Sequence, residues 1–210
     1  MGGSTAVTYS ANLGFVANCG DSKAVLSRQN PAEILPLSED HRPTMHAEVK
    51  RIEREGGIVE FDRLADEDGD GLLSVSRGFG NFRIPAFSSK PHISDAVDIS
   101  DPRNEFIILG SDGLWDNVSE TDAVECVRRL LRDMGDAPCP EACADALVRG
   151  AVKTRRKRDD TSAVVVLLGA HARRALLCRN RTTKHPALGD KTPQKRACLF
   201  GSPLTTPKSA

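Results

Sequence analysis

The sequence lacks the features that would staple a fold or tie it to a membrane. Its six cysteines, at 19, 126, 139, 143, 178 and 198, form no CxxC pair, and no cysteine–histidine group has zinc spacing. That excludes a zinc module. Cys19, Cys126 and Cys143 stand in apolar or helical surroundings and read as buried thiols, which suits a reducing compartment, cytoplasm and/or nucleus. No long apolar run and no signal-peptide pattern occurs, so no membrane partner is expected. Internal repeats are absent. Net charge is also absent, with 29 basic and 29 acidic residues, but the balance is uneven along the chain. Residues 170–210 hold nine Lys/Arg and one acid, so the tail carries +8 and residues 1–169 carry −8. An acidic body argues against nucleic-acid binding, while the tail suits an acidic partner, RNA or the body itself.

What is present begins with short β-rich runs. "STAVTYS", "LGFVANCG" and "KAVLSR" are separated by turn residues, and the last two read as a hairpin closed at Asp21-Ser22. A helix is expected over Ala47–Glu55 with Val49 and Ile52 inward, ended by Gly56-Gly57. "IVEF" and "LLSVS" are further strands. "EFIILG" is apolar throughout and reads as a strand buried on both faces. Ser119, with Asp122 three residues on, caps a helix carrying Val124, Val127, Leu130 and Leu131. Pro140 opens a second helix with Ala144, Leu147, Val148 and Ala151 inward. "TSAVVVLL" closes the body as another buried strand. After Gly169 the apolar pattern stops, and 170–210 reads as a disordered basic tail. Strands, then two helices, then a strand predict an α+β fold of mostly antiparallel sheets with helices outside.

Two motif matches fail on inspection. "DEDGDGLLSVSR" places Asp66, Asp68, Asp70 and Gly71 as an EF-hand loop would, but its twelfth position is Arg77, a cation where the closing glutamate must stand. Gly20-Asp21-Ser22 resembles an esterase nucleophile block, yet no histidine has an aspartate three residues before it. More informative is where aspartates fall. Asp21 ends one strand, Asp112 ends "EFIILGS", and Asp159-Asp160 precede "TSAVVVLL". Carboxylates at strand ends can converge on one rim, where mutual repulsion favours a cation between them. An all-oxygen set selects a hard ion, Mg²⁺ or Mn²⁺. Position alone equally allows each aspartate merely to cap a turn. The basic run Lys153 to Arg158 reads as a solvated loop, a nuclear-import signal or an attractor of acidic phosphopeptides, and Trp115, the only tryptophan, as a packing anchor.

The pieces "GGSTAV", "FVANCGDSKAVL", "LSEDHRP", "EVKRIEREGGIV", "LLSVSRGFGN", "FIILGSDGLWDNVS" and "RDDTSAVVVLL" together resemble the metal-dependent protein phosphatases of the 2C type, plant members above all. The resemblance covers residues 2–168 in the family's order. It implies a four-layer α-β-β-α sandwich and hydrolysis of phosphoserine and phosphothreonine in proteins. In such enzymes two Mn²⁺ or Mg²⁺ ions share a water and make it a hydroxide that attacks phosphorus in line. Carried over by position, Asp112 and Asp159 are ligands of one of those metals and Asp21 a ligand of a weaker third. Asp160 stands where the family has Asn, and Asn81 replaces an acid. The resemblance thus implies a partial phosphatase domain over 1–169. No part of residues 1–210 matches the family segment that supplies a phosphate-holding arginine and an Asp-Gly-His stretch, with its bridging aspartate and general-acid histidine. Three readings stay open at this point: an active phosphatase, a binding or regulatory protein on a phosphatase fold, and a gene model shorter than the enzyme.

Overall fold

The structure, a computed structural model, describes residues 3–11, 13–66, 72–81, 83–154 and 159–182, with side chains to 178. Asp68, Asp70, the run 155–158 and residues 183–210 lie outside the described residues.

The centre of the fold is β11 (Asn104–Gly110), whose seven residues are all buried. Its apolar run is continuous because it is covered on both faces. Phe106 and Ile108 point one way, Ile107 and Leu109 the other, as the two-residue period of a strand requires. Burying a side chain such as Phe106 contributes roughly 1.5–3 kcal/mol. β11 pairs antiparallel with β4 (Lys23–Arg28) on one side and β12 (Ala163–Leu167) on the other, and β4 pairs with β5 (Glu33–Pro36). This four-stranded sheet has the order β12-β11-β4-β5.

One face is covered by α3 (Glu120–Met134) and α4 (Pro140–Thr154). Val124, Val127 and Leu131 of α3 and Cys143, Leu147 and Ala151 of α4 meet Phe106, Ile108 and Val25 in one core. The start of α3 follows the sequence pattern: Ser119 Oγ accepts a hydrogen bond from Asp122 N at 3.1 Å. Ser119→Ala is expected to cost about 1 kcal/mol, measurable as a lower denaturant midpoint at unchanged slope.

The other face meets a second sheet of order β10-β3-β2, built from β2 (Ala6–Ser10), β3 (Phe15–Cys19) and β10 (His92–Ile93). Val16, Ala24, Leu26, Ile107 and Leu109 form the core between the two sheets. α1 (His46–Arg54) and a small sheet of β6 (Ile58–Glu60), β7 (Arg63–Ala65) and β8 (Leu72–Leu73) pack on a cluster of their own, Ile52, Leu64 and Ile84. Two remaining short strands, β1 (Gly3–Ser4) and β9 (Phe79–Gly80), pair with each other. The architecture is a mixed α+β fold of antiparallel sheets. Three layers share continuous apolar cores, and α1 joins them through a polar network described below.

Three expectations need correction. The strands "LGFVANCG" and "KAVLSR" do not form a hairpin: β3 pairs with β2 and β10, while β4 belongs to the other sheet. The Asp21-Ser22 turn carries the chain from one sheet to the other. Gly20 makes that crossing possible, since its φ is +119° and a Cβ there would lie 2.3 Å from Thr5 Cγ2. β12 is not the fully buried strand expected: Val165 is 7% exposed but Val164, on the opposite face, is 56% exposed. Among the described residues it pairs only with β11 and stands at the edge of its sheet. Finally, regular structure does not stop at Gly169, since α5 (Gly169–Thr182) follows β12 directly. Its Ala, Arg and Leu residues are strong helix formers without a clean apolar stripe.

Candidate metal rim

Strand register gathers the three candidate aspartates. Lys23 at the start of β4 and Ala163 at the start of β12 both face Gly110 at the end of β11. Asp21, Asp112 and Asp159 therefore emerge at the same end of the central sheet, as the strand-end pattern predicts. The end is tightly laced. Ser111 N donates to Ser162 O at 3.1 Å, Ser162 N to Ser111 Oγ at 3.1 Å, and Ser111 Oγ to Asp160 O at 3.2 Å. Gly113 is required here, because a Cβ would lie 2.4 Å from Asp160 O. The short helix α2 (Asp112–Trp115) starts at the candidate ligand itself. The Trp115 indole N–H is shared between Lys23 O and Gly110 O, 3.1 Å from each, which fulfils the packing-anchor expectation.

The carboxylates differ in environment. Asp21 is buried, and its side chain meets Arg42 Nη2 at 3.1 Å. Burial pushes its pKa up; Arg42 opposes that, and Asp112 and Asp40 add to it. Arg42 also reaches Asp116 at 3.5 Å. Burial acts to lower the arginine's pKa, but Asp21, Asp116, Asp40 and Asp112 outweigh it. Asp112 Oδ1 accepts from Gly113 N at 2.8 Å, and Asp159 Oδ1 from Asp160 N at 2.7 Å. Asp159 and Asp160 are both exposed.

These donors suit a hard divalent cation in kind: all are oxygens, and Asp21 sits among like charges that such an ion would relieve. They fall short in number, because among the described residues no group of three or more His, Cys, Asp or Glu side chains is close enough to hold a metal ion.

A supporting network, not legible in the sequence, holds the rim from behind. His41 is 2% exposed, and its Nδ1 accepts from Gly20 N at 3.1 Å, the residue before Asp21. His41 O accepts from Ser76 N at 2.8 Å. Ser76 Oγ donates to Glu48 Oε2 at 2.6 Å, and Arg51 and Arg77 clamp the same carboxylate. Arg77, the residue that rules out a calcium loop, is thus committed to Glu48. Burial, with the positive charge of Arg77 in support, pushes His41 down to about 4. An unfolded histidine binds its proton near 6.5. The unfolded chain is therefore protonated first, so the contribution of neutral His41 is full above that value and is lost as pH falls toward 4. Wild-type stability is expected to drop more between about pH 7 and pH 4.5 than that of His41→Phe, read from denaturant midpoints at each pH.

Residues 2–160 match the sequence profile described as Protein phosphatase 2C. The chain belongs to the protein phosphatase 2C family. It is 39% identical over 163 residues to "Probable protein phosphatase 2C 22" of Arabidopsis thaliana, covering 73% of this chain and 39% of that protein. It is 40% identical over 169 residues to "Probable protein phosphatase 2C 39" of the same plant, covering 79% and 54%. A solved structure, the "serine-threonine phosphatase 2C from Toxoplasma gondii", superposes with TM-score 0.64 at 27% identity over 79% of this chain and 58% of that one. The chain thus spans less than two thirds of the length of these relatives. Protein phosphatase 2C enzymes are Mn²⁺- or Mg²⁺-dependent and act on phosphoproteins. Among the described residues no helix is long and apolar enough to cross a membrane.

Proposed function

We propose that this chain forms part of a Mn²⁺- or Mg²⁺-dependent protein serine/threonine phosphatase, acting on phosphoserine and phosphothreonine proteins. In this reading Asp112 and Asp159 hold one ion and Asp21 another. The observation that carries it is the register that brings the ends of β11, β4 and β12 together, so that three aspartates far apart in sequence share one rim. A bound ion of this kind supplies an activated water and neutralises phosphate charge. The chain's own part is to orient carboxylates. Gly113 lets the Asp159-Asp160 segment close on Asp112, and His41 fixes the backbone that carries Asp21.

Two arms test the proposal. Alone with Mn²⁺, the 210-residue chain is expected to release phosphate from phosphothreonine peptides slowly, because the described carboxylates do not close a metal site. Fused behind a family segment bearing the Asp-Gly-His stretch, it is expected to release phosphate rapidly and only with metal. A fused protein that folds but stays inactive overturns the reading.

A further inference from the structure

At the mouth of the sandwich between β5 and β10, away from the aspartate rim, lies a cavity of about 600 Å³. Its floor is apolar, with Leu26, Leu35, Leu37 and Val97 continuing the core between the sheets. Its edge is acidic, with Glu39, Asp95, Asp98 and Asp101 against a single arginine, Arg28. Asp101 is taken up by Arg28 and Arg103, and Asp98 by Ser100. Among the described residues no cation pairs with Asp95, and Glu39 meets only His92, at 3.6 Å.

Acidic residues and an apolar floor would not by themselves define a site. The second observation is Asn104, which lines the cavity and is 4% exposed. Its Nδ2 donates to Asp98 O at 2.7 Å, leaving Oδ1 buried with no partner. On the same wall Arg28 Nε is a buried donor with no acceptor. A buried polar atom without a partner costs about 1–3 kcal/mol. One wall therefore offers an unused acceptor and an unused donor, the pair that a peptide backbone satisfies with its N–H and its C=O.

We propose that this cavity is the docking site of the chain's own basic tail, through the segment Lys195-Arg196-Ala197-Cys198-Leu199-Phe200. The chemistry matches group by group. Leu199 and Phe200 cover the apolar floor, Lys195 and Arg196 face Asp95 and Glu39, and the segment's backbone completes Asn104 Oδ1 and Arg28 Nε. Connectivity permits it. The first residue of α5 lies against the cavity's wall, since a Cβ on Gly169 would be 3.1 Å from Asn104 O. The 14 residues of α5 carry the chain at most about 21 Å from that point. The stretch from Thr182 to Lys195 can span at most about 45 Å, enough to return. Such a tether makes docking intramolecular and raises the segment's effective concentration.

The test is NMR of the full 210-residue chain. In Leu199→Asp/Phe200→Asp, the Asn104 side-chain amide and the Val97 methyl signals are expected to shift, while the Trp115 indole signal stays in place. In Asp95→Lys, the signals of residues 199 and 200 are expected to sharpen as the segment is released. The same pocket signals in wild type and double variant would overturn the proposal. Tenfold dilution is expected to change none of these shifts; loss of the bound pattern on dilution would assign the occupant to a second copy and overturn intramolecular docking.

Discussion

Asp112→Asn, in a protein made competent for hydrolysis as described above, is expected to lower phosphate release more than about 100-fold, because removing even a partner of a metal ligand commonly costs about 10–100-fold. The substitution keeps the shape of the side chain and its acceptor to Gly113 N, but removes the charge that draws a divalent ion. Asp159→Asn is expected to act in the same direction. Activity alone would not separate lost metal from lost folding, so calorimetry with Mn²⁺ is the deciding readout. Both variants are expected to bind Mn²⁺ more weakly while unfolding at the wild-type denaturant concentration. Unchanged Mn²⁺ affinity in both would remove Asp112 and Asp159 from the metal site, whatever the activity.

The largest expected loss of stability is at Glu48. Its side chain is 4% exposed and receives hydrogen bonds from Ser76, Arg51 and Arg77, themselves 11% and 17% exposed in the case of the two arginines. Glu48→Ala leaves the Arg77 guanidinium facing a cavity without a counter-charge and Arg51 with Glu55 alone, which is expected to cost about 3–5 kcal/mol. Glu48→Gln keeps the volume and part of the hydrogen bonding, so its cost is expected to be smaller. The carboxylate's titration supplies an independent check. Burial acts to raise its pKa, but the hydrogen bonds from Arg77, Arg51 and Ser76 outweigh this and hold it at about 2 rather than 4.5. A depressed carboxylate stabilises the fold above its unfolded value and loses that contribution as pH falls through its folded value. Wild type is therefore expected to weaken between about pH 4.5 and pH 2, and the difference between wild type and Glu48→Gln to shrink over the same interval. Equal slopes of stability against pH in both proteins would show that the carboxylate's charge does not matter there.

How much of this was readable beforehand depends on what each feature rests on. β11, α3 and α4 were legible because their signals are local: an unbroken apolar run, a serine cap and helical spacing of Val124, Val127 and Leu131. The pairing of β3 was not. Adjacent strands pair in many folds, and the Asp21-Ser22 turn looks the same whether it closes a hairpin or crosses between sheets. The contact of Gly20 with Thr5 settles which, and that contact exists only in three dimensions. β12 shows the same limit from another side, because its composition says apolar while the exposure of Val164 depends on what packs over that face of the sheet. At the rim, Asp21, Asp112 and Asp159 stood out by their place at strand ends. His41, Arg42 and Glu48 did not, since a histidine or an acid in a loop or helix signals nothing until its partners are known. The quoted stretches "LSEDHRP" and "EVKRIEREGGIV" contain these residues but say nothing of their roles.

Trp115 gives the rim its own lamp. It is the chain's one tryptophan, it is partly buried, and its indole bridges β4 and β11 three residues after Asp112. The single tyrosine, Tyr9, lies on the second sheet. Light absorbed at the red edge of aromatic excitation is therefore emitted from one known place. A change in its colour or anisotropy would report on the joint between β4 and β11, with no dye attached and no background from the tail. Loosening of that joint is then readable from the intact protein's own emission.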